Sequence, residues 1–334
     1  MSKIGNFYGS LPGKTLAKNY LINGNFDIWQ RGTSQTLNAY GSDDRWRNDS
    51  IGTTKVHSRQ SFTLGQTDVP GNPKYYSRTV VTSVAGASNY CHKFQNVEFV
   101  YSLSGRQATV SFWAKADTVK NIGVRLYQYF GAGGSPSTFV ECPWAKLIAL
   151  TTVWKKYTAT FSVPSIAGKT LGTDNGDALV LSFGFDANPS LGAAYAGLGH
   201  QSGTFDIAQV QLEEGSVATE FAQRTVSEEL ALCQRYFQKS GILYGYAASS
   251  AWIFVHYSAI REFRTYPVAT LTTTSPTGES PPWITSVNST ASILDGTHIP
   301  YSTTKFDITV GGFTGLIPGY PASLFSPIYF DAEL

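Results

Sequence analysis

Between positions 107 and 212 the chain alternates apolar and polar residues, stretch after stretch, with turn-rich segments between. Successive side chains of a β-strand point to opposite faces, so this period of two means strands with one buried face. In 107–116, Val110, Phe112 and Ala114 make one row, and Thr109, Ser111, Trp113 and Lys115 the other. In 122–130, Ile122, Val124, Leu126 and Phe130 oppose Arg125, Tyr127 and Tyr129. In 154–163, Tyr157, Ala159 and Phe161 oppose Lys156, Thr158 and Thr160. Leu179, Leu181, Phe183 and Phe185 form a further row, and Phe205, Ile207, Val210 and Leu212 close the series. The segments 131–137, 167–176 and 187–203 carry the turns. A shorter apolar run, Tyr20-Leu21-Ile22, is closed by Asn23-Gly24-Asn25 and is expected as another strand. Repeated strands with regular turns and one buried face each predict a β-sandwich.

After residue 224 the period changes. Thr225-Val226-Ser227-Glu228 has the capping-box form, and 228–239 holds no Gly or Pro. Leu230, Cys233 and Phe237 fall on one helical face, which predicts an amphipathic helix of about three turns ending before Gly241. Such a helix is too short for a self-sufficient coiled coil. It suits packing on a β domain, or against copies of itself around a symmetry axis. Strand patterns return at 241–246, 252–260, 268–273, 291–294, 306–311 and 324–332, around a proline-rich loop at 274–282. Residues 1–18, with Gly5, Gly9, Pro12 and Gly13, read as an attachment arm or a frayed terminus. The expected organisation is an arm at 1–18, a sandwich at 19–224, a linking helix at 225–240 and a smaller β domain at 241–334.

Charge narrows the function. Only 14% of residues are charged, against about 25% in an average soluble protein, and the net charge is +2 with no basic stripe. A nucleic-acid partner needs a cationic surface to meet phosphates, so none is expected. No run of about twenty apolar residues occurs, so no membrane insertion is expected. The opening Met1-Ser2-Lys3-Ile4-Gly5-Asn6 is unlike a secretion signal, and folding in a cytoplasm is expected. Cys91, Cys142 and Cys233 are widely spaced, with no CxxC pair, and read as free, mostly buried thiols.

Catalytic patterns are missing: no Gly-x-Ser-x-Gly elbow, HExxH, phosphate-binding loop or dinucleotide fingerprint. The histidines, His57, His92, His200, His256 and His298, have no metal-ligand spacing. Glycoside hydrolysis needs two carboxylates brought together in space. Asp43, Asp44, Asp174, Asp177 and Asp186 are available, but none sits in a recognisable setting. A non-enzyme requiring no cofactor is expected.

The segment from Asn19 to Thr33, reading Asn-Tyr-Leu-Ile-Asn-Gly-Asn-Phe-Asp-Ile-Trp-Gln-Arg-Gly-Thr, resembles the opening of many bacteriophage tail-fibre proteins. Asp43-Asp44-Arg45-Trp46, Val110-Ser111-Phe112-Trp113-Ala114-Lys115-Ala116 and the closing run from Asp206 to Gly215 are similar to later elements of that family. So are Phe221-Ala222-Gln223-Arg224, Leu232-Cys233-Gln234-Arg235-Tyr236-Phe237 and the final Phe330-Asp331-Ala332-Glu333-Leu334, all in family order. The opening and closing strands also resemble those of jelly-roll carbohydrate-binding modules. The resemblance implies an all-β chain: a jelly-roll β-sandwich, then a short helix and a smaller β domain. It implies a homotrimeric virion protein that meets other virion proteins through its N-terminal segment and binds host polysaccharide or lipopolysaccharide. In the modules, carboxylates at the positions of Asp27 and Asp206 help hold a structural Ca2+. Oxygen ligands suit that ion; the alternative is that Asp27 caps a turn and Asp206 faces solvent.

Sugar recognition needs flat aromatic faces beside hydrogen-bonding groups. Trp113, Lys115, Arg125, Tyr127 and Tyr129 occupy the non-core rows of two strands taken as neighbours, and form the expected ligand platform. An anionic polysaccharide would gain from Lys115 and Arg125. Trp29, Trp46, Arg31 and Arg45 are expected to be structural. Trp252, Tyr257, Trp283, Tyr301, Tyr320 and Tyr329 offer an alternative surface near the C-terminus. Three functions compete: a glycan-binding fibre protein, a structural virion component such as a fibre adaptor, head fibre or baseplate protein, and, with least support, a polysaccharide-cleaving enzyme.

Overall fold

The computed structural model describes residues 19–333 apart from 144, 242, 250–251, 265–266, 272–298, 303–304, 312–320 and 325–327. The chain forms two compact units, Met1–Thr225 and Val226–Leu334. The expected arm at 1–18 lies outside the described residues.

The first unit is an antiparallel β-sandwich. Its strands are β1 (Ser34–Gln35), β2 (Arg47–Ile51), β3 (Thr54–Ser61), β4 (Tyr75–Thr82), β5 (Tyr90–Glu98), β6 (Gln107–Ala116), β7 (Lys120–Tyr129), β8 (Val140–Glu141), β9 (Lys146–Leu150), β10 (Lys155–Ser162), β11 (Ala178–Ala187) and β12 (Gly203–Glu214). One sheet, A, runs β1-β3-β4-β12-β6-β10. The other, B, runs β2-β5-β11-β7-β8, with β9 also on β7. The chain crosses repeatedly between the two sheets, as in a jelly roll, with β3–β4 and β7–β9 staying in one sheet. Helix α1 (Pro189–Gly192) and a 3-10 turn, Ala193–Tyr195, interrupt the segment between β11 and β12.

The predicted inward rows meet in the core. Val110, Phe112 and Ala114 of sheet A face Leu181, Phe183 and Phe185 of sheet B, all fully buried. Phe112 meets Phe183 edge-on at 5.0 Å, and Phe183 lies 6.2 Å from Trp46. Each such aromatic contributes about 1.5–3 kcal/mol by leaving water.

Tyr20-Leu21-Ile22 is not a strand; the segment bends, with the Tyr20 amide donating to Leu212 of β12 and the Ile22 backbone tied to the Gln95 side chain of β5. The Asn19 side chain donates to the Val210 carbonyl at 3.0 Å and accepts from the Leu212 amide at 3.1 Å. The Val210 amide donates to the Gly24 carbonyl at 2.8 Å. A β-carbon on Gly24 would stand 2.1 Å from the Val210 oxygen, so only glycine permits this approach. The opening motif therefore clamps the closing strand where Gln209 makes a bulge with φ +47°.

Toward β2 and β3 the interior turns polar. The Asp43 carboxylate bonds to Lys93 of β5, Ser77 of β4, Ser42 and Asn48. Lys93 and Asp43 are both buried. Burial pulls the Lys93 ammonium below its ordinary value, while Asp43 works the other way. Asp186 is buried with Thr53 at 2.6 Å, Ser83 at 2.8 Å, His200 at 3.1 Å and the Gln201 amide at 2.9 Å. Cys91, Cys142 and Cys233 are free and buried.

In the second unit, helix α2 spans Val226–Cys233, shorter than the expected 228–239. Phe237–Lys239 instead forms strand β13, which pairs with β20 (Ile328–Asp331). Tertiary pairing of aromatic, strand-favouring residues overrides the local helical period there. Strand β16 (Val268–Leu271) completes that sheet on the other side of β20. A second sheet runs β17 (Ile299–Ser302), β18 (Lys305–Gly311), β15 (Trp252–Ser258), β14 (Leu243–Ser249) and β19 (Pro321–Leu324). Tyr257, offered as a receptor contact, is buried; its ring stacks on Phe330 at 4.1 Å and its hydroxyl donates to Gln238 at 3.0 Å. Trp283 and Tyr320 lie outside the described residues.

Candidate functional site

Strands β6 and β7 are not neighbours. β6 lies in sheet A and β7 in sheet B, so their outward rows lie on opposite faces of the sandwich. Trp113 and Lys115 therefore share no surface with Arg125, Tyr127 and Tyr129, which corrects the single platform expected from sequence. The chain crosses between sheets at the β6–β7 turn, and a period of two records which residues face out but not which sheet carries them.

On the outer face of sheet B, Arg125 is already occupied. Its guanidinium donates to Glu141 of β8, with Nε at 3.0 and 2.9 Å from the two oxygens, and lies 4.3 Å from the Tyr127 ring centre. Phe139 closes over Tyr127 at 6.0 Å. Beside them Tyr195, fully buried, sits on Gly123 and Gly184, where β-carbons would come within 2.6 and 2.8 Å of it. Its hydroxyl is 2.8 Å from Ser182 Oγ and 2.8 Å from His92 Nδ1. Packed there, His92 is pushed down to about 3, by burial first and then by Arg125, Arg47 and Lys55. Tyr129 stays more than a third exposed at the far end of the strand.

The rest of this face is partly exposed. Tyr90, His92 and Phe94 project from alternate positions of β5, each partly exposed, with rings 5.0 and 5.2 Å apart. β2 sets Ile51, Asp49 and Arg47 opposite them in register. The Arg47 guanidinium lies 5.9 Å from the Phe94 ring centre and 6.0 Å from that of Tyr40. Asp49 is its ion-pair partner at 3.6 Å. Two buried polar atoms here, Arg47 Nε and Asn96 Oδ1, have no hydrogen-bond partner among the described residues. Burying such atoms unpaired costs about 1–3 kcal/mol each. A band of partly exposed ring faces fringed by the Arg47 and Asp49 side chains suits the apolar face and hydroxyls of a pyranose. Its sequence signal was Tyr90-x-His92-x-Phe94, aromatic at every second position.

The outer face of sheet A carries the other predicted pair. Trp113 is partly exposed between Ala208 of β12 and Lys156 of β10. Lys115 lies opposite Asp206, which Arg78 holds by two bonds of 2.7 and 2.8 Å. Phe62, Tyr76 and Trp154 cluster beside them, with centroids 4.8–5.2 Å apart.

The expected calcium ligands do not fit that ion. Both Asp206 oxygens receive Arg78, and Lys115 stands 3.9 Å away. A divalent cation would have to displace or repel two charges of its own sign. Asp27 is already engaged, accepting from Asn25 at 2.9 Å. Among the described residues no group of three or more His, Cys, Asp or Glu side chains could hold a metal. Nor is any described helix long and apolar enough to cross a membrane.

No protein-family model matches the chain, and no curated protein does. Solved structures resemble it at low identity. A family 4 carbohydrate-binding module is 15% identical at a TM-score of 0.32, covering 58% of this chain and 98% of its own. A family 11 module from Clostridium thermocellum, in complex with a mixed-linked tetrasaccharide, is 14% identical at 0.32, covering 56% and 98%. An enzymatically active domain of tailspike protein 4 from bacteriophage CBA120 is 12% identical at 0.34, covering 59% of this chain and 21% of that one. Likenesses this distant do not speak for function; the site must.

Proposed function

We propose that this chain is a non-catalytic bacteriophage virion protein of tail-fibre type whose sandwich binds host cell-surface glycan. The carrying observation is the partly exposed aromatic band on sheet B, where Tyr90, His92 and Phe94 lie beside the ion-paired Arg47 and Asp49. The ordered tail-fibre motifs support the virion setting. The band holds one carboxylate at its centre, Asp49, whereas the usual glycosidase needs two. That lone carboxylate supports binding without cleavage. Assembly through residues 1–18 onto other virion proteins, trimerisation near 225–240 and synthesis in the host cytoplasm belong to the same reading.

Purified protein is applied to whole host cells and to their isolated polysaccharide, beside Arg47→Met, with reducing ends assayed. Saturable adsorption weakened in the variant, with no reducing ends released, is expected. Absence of adsorption removes the reading, and release of reducing ends removes its non-catalytic part.

A second reading, a structural virion component, is favoured by one feature. Phe99 and Tyr101, about half exposed, stack at 5.3 Å at one end of the sandwich, with Phe99 held at φ +67°. Exposed apolar pairs of this kind suit protein contacts. Tight binding to another virion protein without cell adsorption would favour it.

A further inference from the structure

On sheet A, two cations share one carboxylate. Arg78 takes both oxygens of Asp206, and Lys115 Nζ, 3.9 Å away, makes no hydrogen bond among the described residues. This leaves one positive charge in excess among Arg78, Lys115 and Asp206. The Lys115 ammonium stands 5.3 Å from the centre of the Trp154 ring. Trp113, next in the same outward row as Lys115, is partly exposed, as are Trp154 and Tyr76. The indole N–H groups of Trp113 and Trp154 likewise have no partner among the described residues. Around Lys115 the face therefore offers donors and ring surfaces, while the acid opposite it, Asp206, is already shared and Glu213, further along β12, is taken up by Gln211 and Thr219. On sheet B, by contrast, Arg125 is paired with Glu141 and Arg47 with Asp49.

Donors in excess beside flat aromatic faces match a sugar bearing a carboxylate. Its C–H face covers an indole, and its carboxylate meets the ammonium in a charge-assisted hydrogen bond. A neutral sugar would leave the surplus charge unanswered. We propose that the outer face of sheet A is a second glycan site, selective for an acidic, uronic-type sugar, with Lys115 as carboxylate partner and Trp113 and Trp154 as stacking surfaces. It lies on the opposite face from the Tyr90–Phe94 band and does not depend on it.

The full chain is titrated with an oligogalacturonate and with its carboxyl-reduced neutral counterpart, following tryptophan fluorescence. Lys115→Gln, Lys115→Arg, Trp154→Ala and Phe94→Ala are compared, with melting curves confirming that each is folded. The wild type is expected to bind the acidic oligomer more tightly, and salt to weaken it. Lys115→Gln should lose about tenfold or more, Lys115→Arg should retain binding, Trp154→Ala should weaken it, and Lys115→Gln should lose more than Phe94→Ala. Failure of the wild type to bind the acidic oligomer overturns the proposal, as does equal binding by a folded Lys115→Gln. Loss in Phe94→Ala with Lys115→Gln unaffected also overturns it, and would put the acidic sugar on the other face.

Discussion

Arg47 and Phe94 face each other across paired positions of β2 and β5, with the guanidinium 5.9 Å from the ring centre. The contact keeps the long side chain against the sheet, with Nη2 3.6 Å from Asp49 and Nε buried without a partner among the described residues. Cation–π contacts at partly exposed sites contribute about 0.5–1 kcal/mol, enough to preorder a side chain without burying it.

Acid should weaken the fold through His92. Its folded value is about 3, below the ordinary 6.5, so between these limits the unfolded chain holds a proton that the folded chain does not. Stability is complete above about pH 6.5 and falls toward pH 3, by up to about 1.4 kcal/mol per unit from this group. His57, also shifted well down by burial, adds in the same direction. Urea unfolding at stepped pH should show a shallower acid slope for His92→Gln than for wild type; an identical slope would refute this cause.

The internal charge pair should punish one-sided removal. Lys93→Met leaves Asp43 buried without its cation and is expected to cost about 3–5 kcal/mol. Lys93→Met with Asp43→Asn should cost less than the sum of the two single changes, because the pair is coupled. Chemical denaturation of the four proteins measures this, and additivity within error would show that the pair is not coupled.

The strands read correctly from sequence were those whose inward rows are apolar, such as Val110, Phe112 and Ala114. Strands β2 to β5 were missed for a physical reason. Their inward positions include Lys55, His57, Ser77, Thr79, Lys93 and Gln95, which satisfy one another or the backbone inside the sandwich. Apolar alternation cannot report a polar interior. The candidate band lies on those strands and was missed with them. Lys115 and Arg125 were correctly seen to leave the core, but sheet membership depends on long-range pairing that neither stretch encodes.

The Tyr195 flank should be sensitive to a single added side chain. Gly184→Val would place its β-carbon 2.8 Å from the Tyr195 ring, displacing Tyr195 from the sheet. A loss of about 1–3 kcal/mol is expected, with new protease cleavage within 188–200 seen by mass spectrometry. Tyr195→Phe, which deletes the bonds to Ser182 and His92, should lose about 1–2 kcal/mol without that cleavage. An unchanged melting temperature and digest for Gly184→Val would contradict the packing.

The central claim is that the Tyr90–Phe94 band binds glycan. Calorimetric titration of oligosaccharides from the host surface polysaccharide into wild type, Phe94→Ala and Tyr90→Ala tests it most directly. The account predicts measurable binding by wild type and a loss of about tenfold or more in each folded variant. Equal affinity in all three proteins would contradict it.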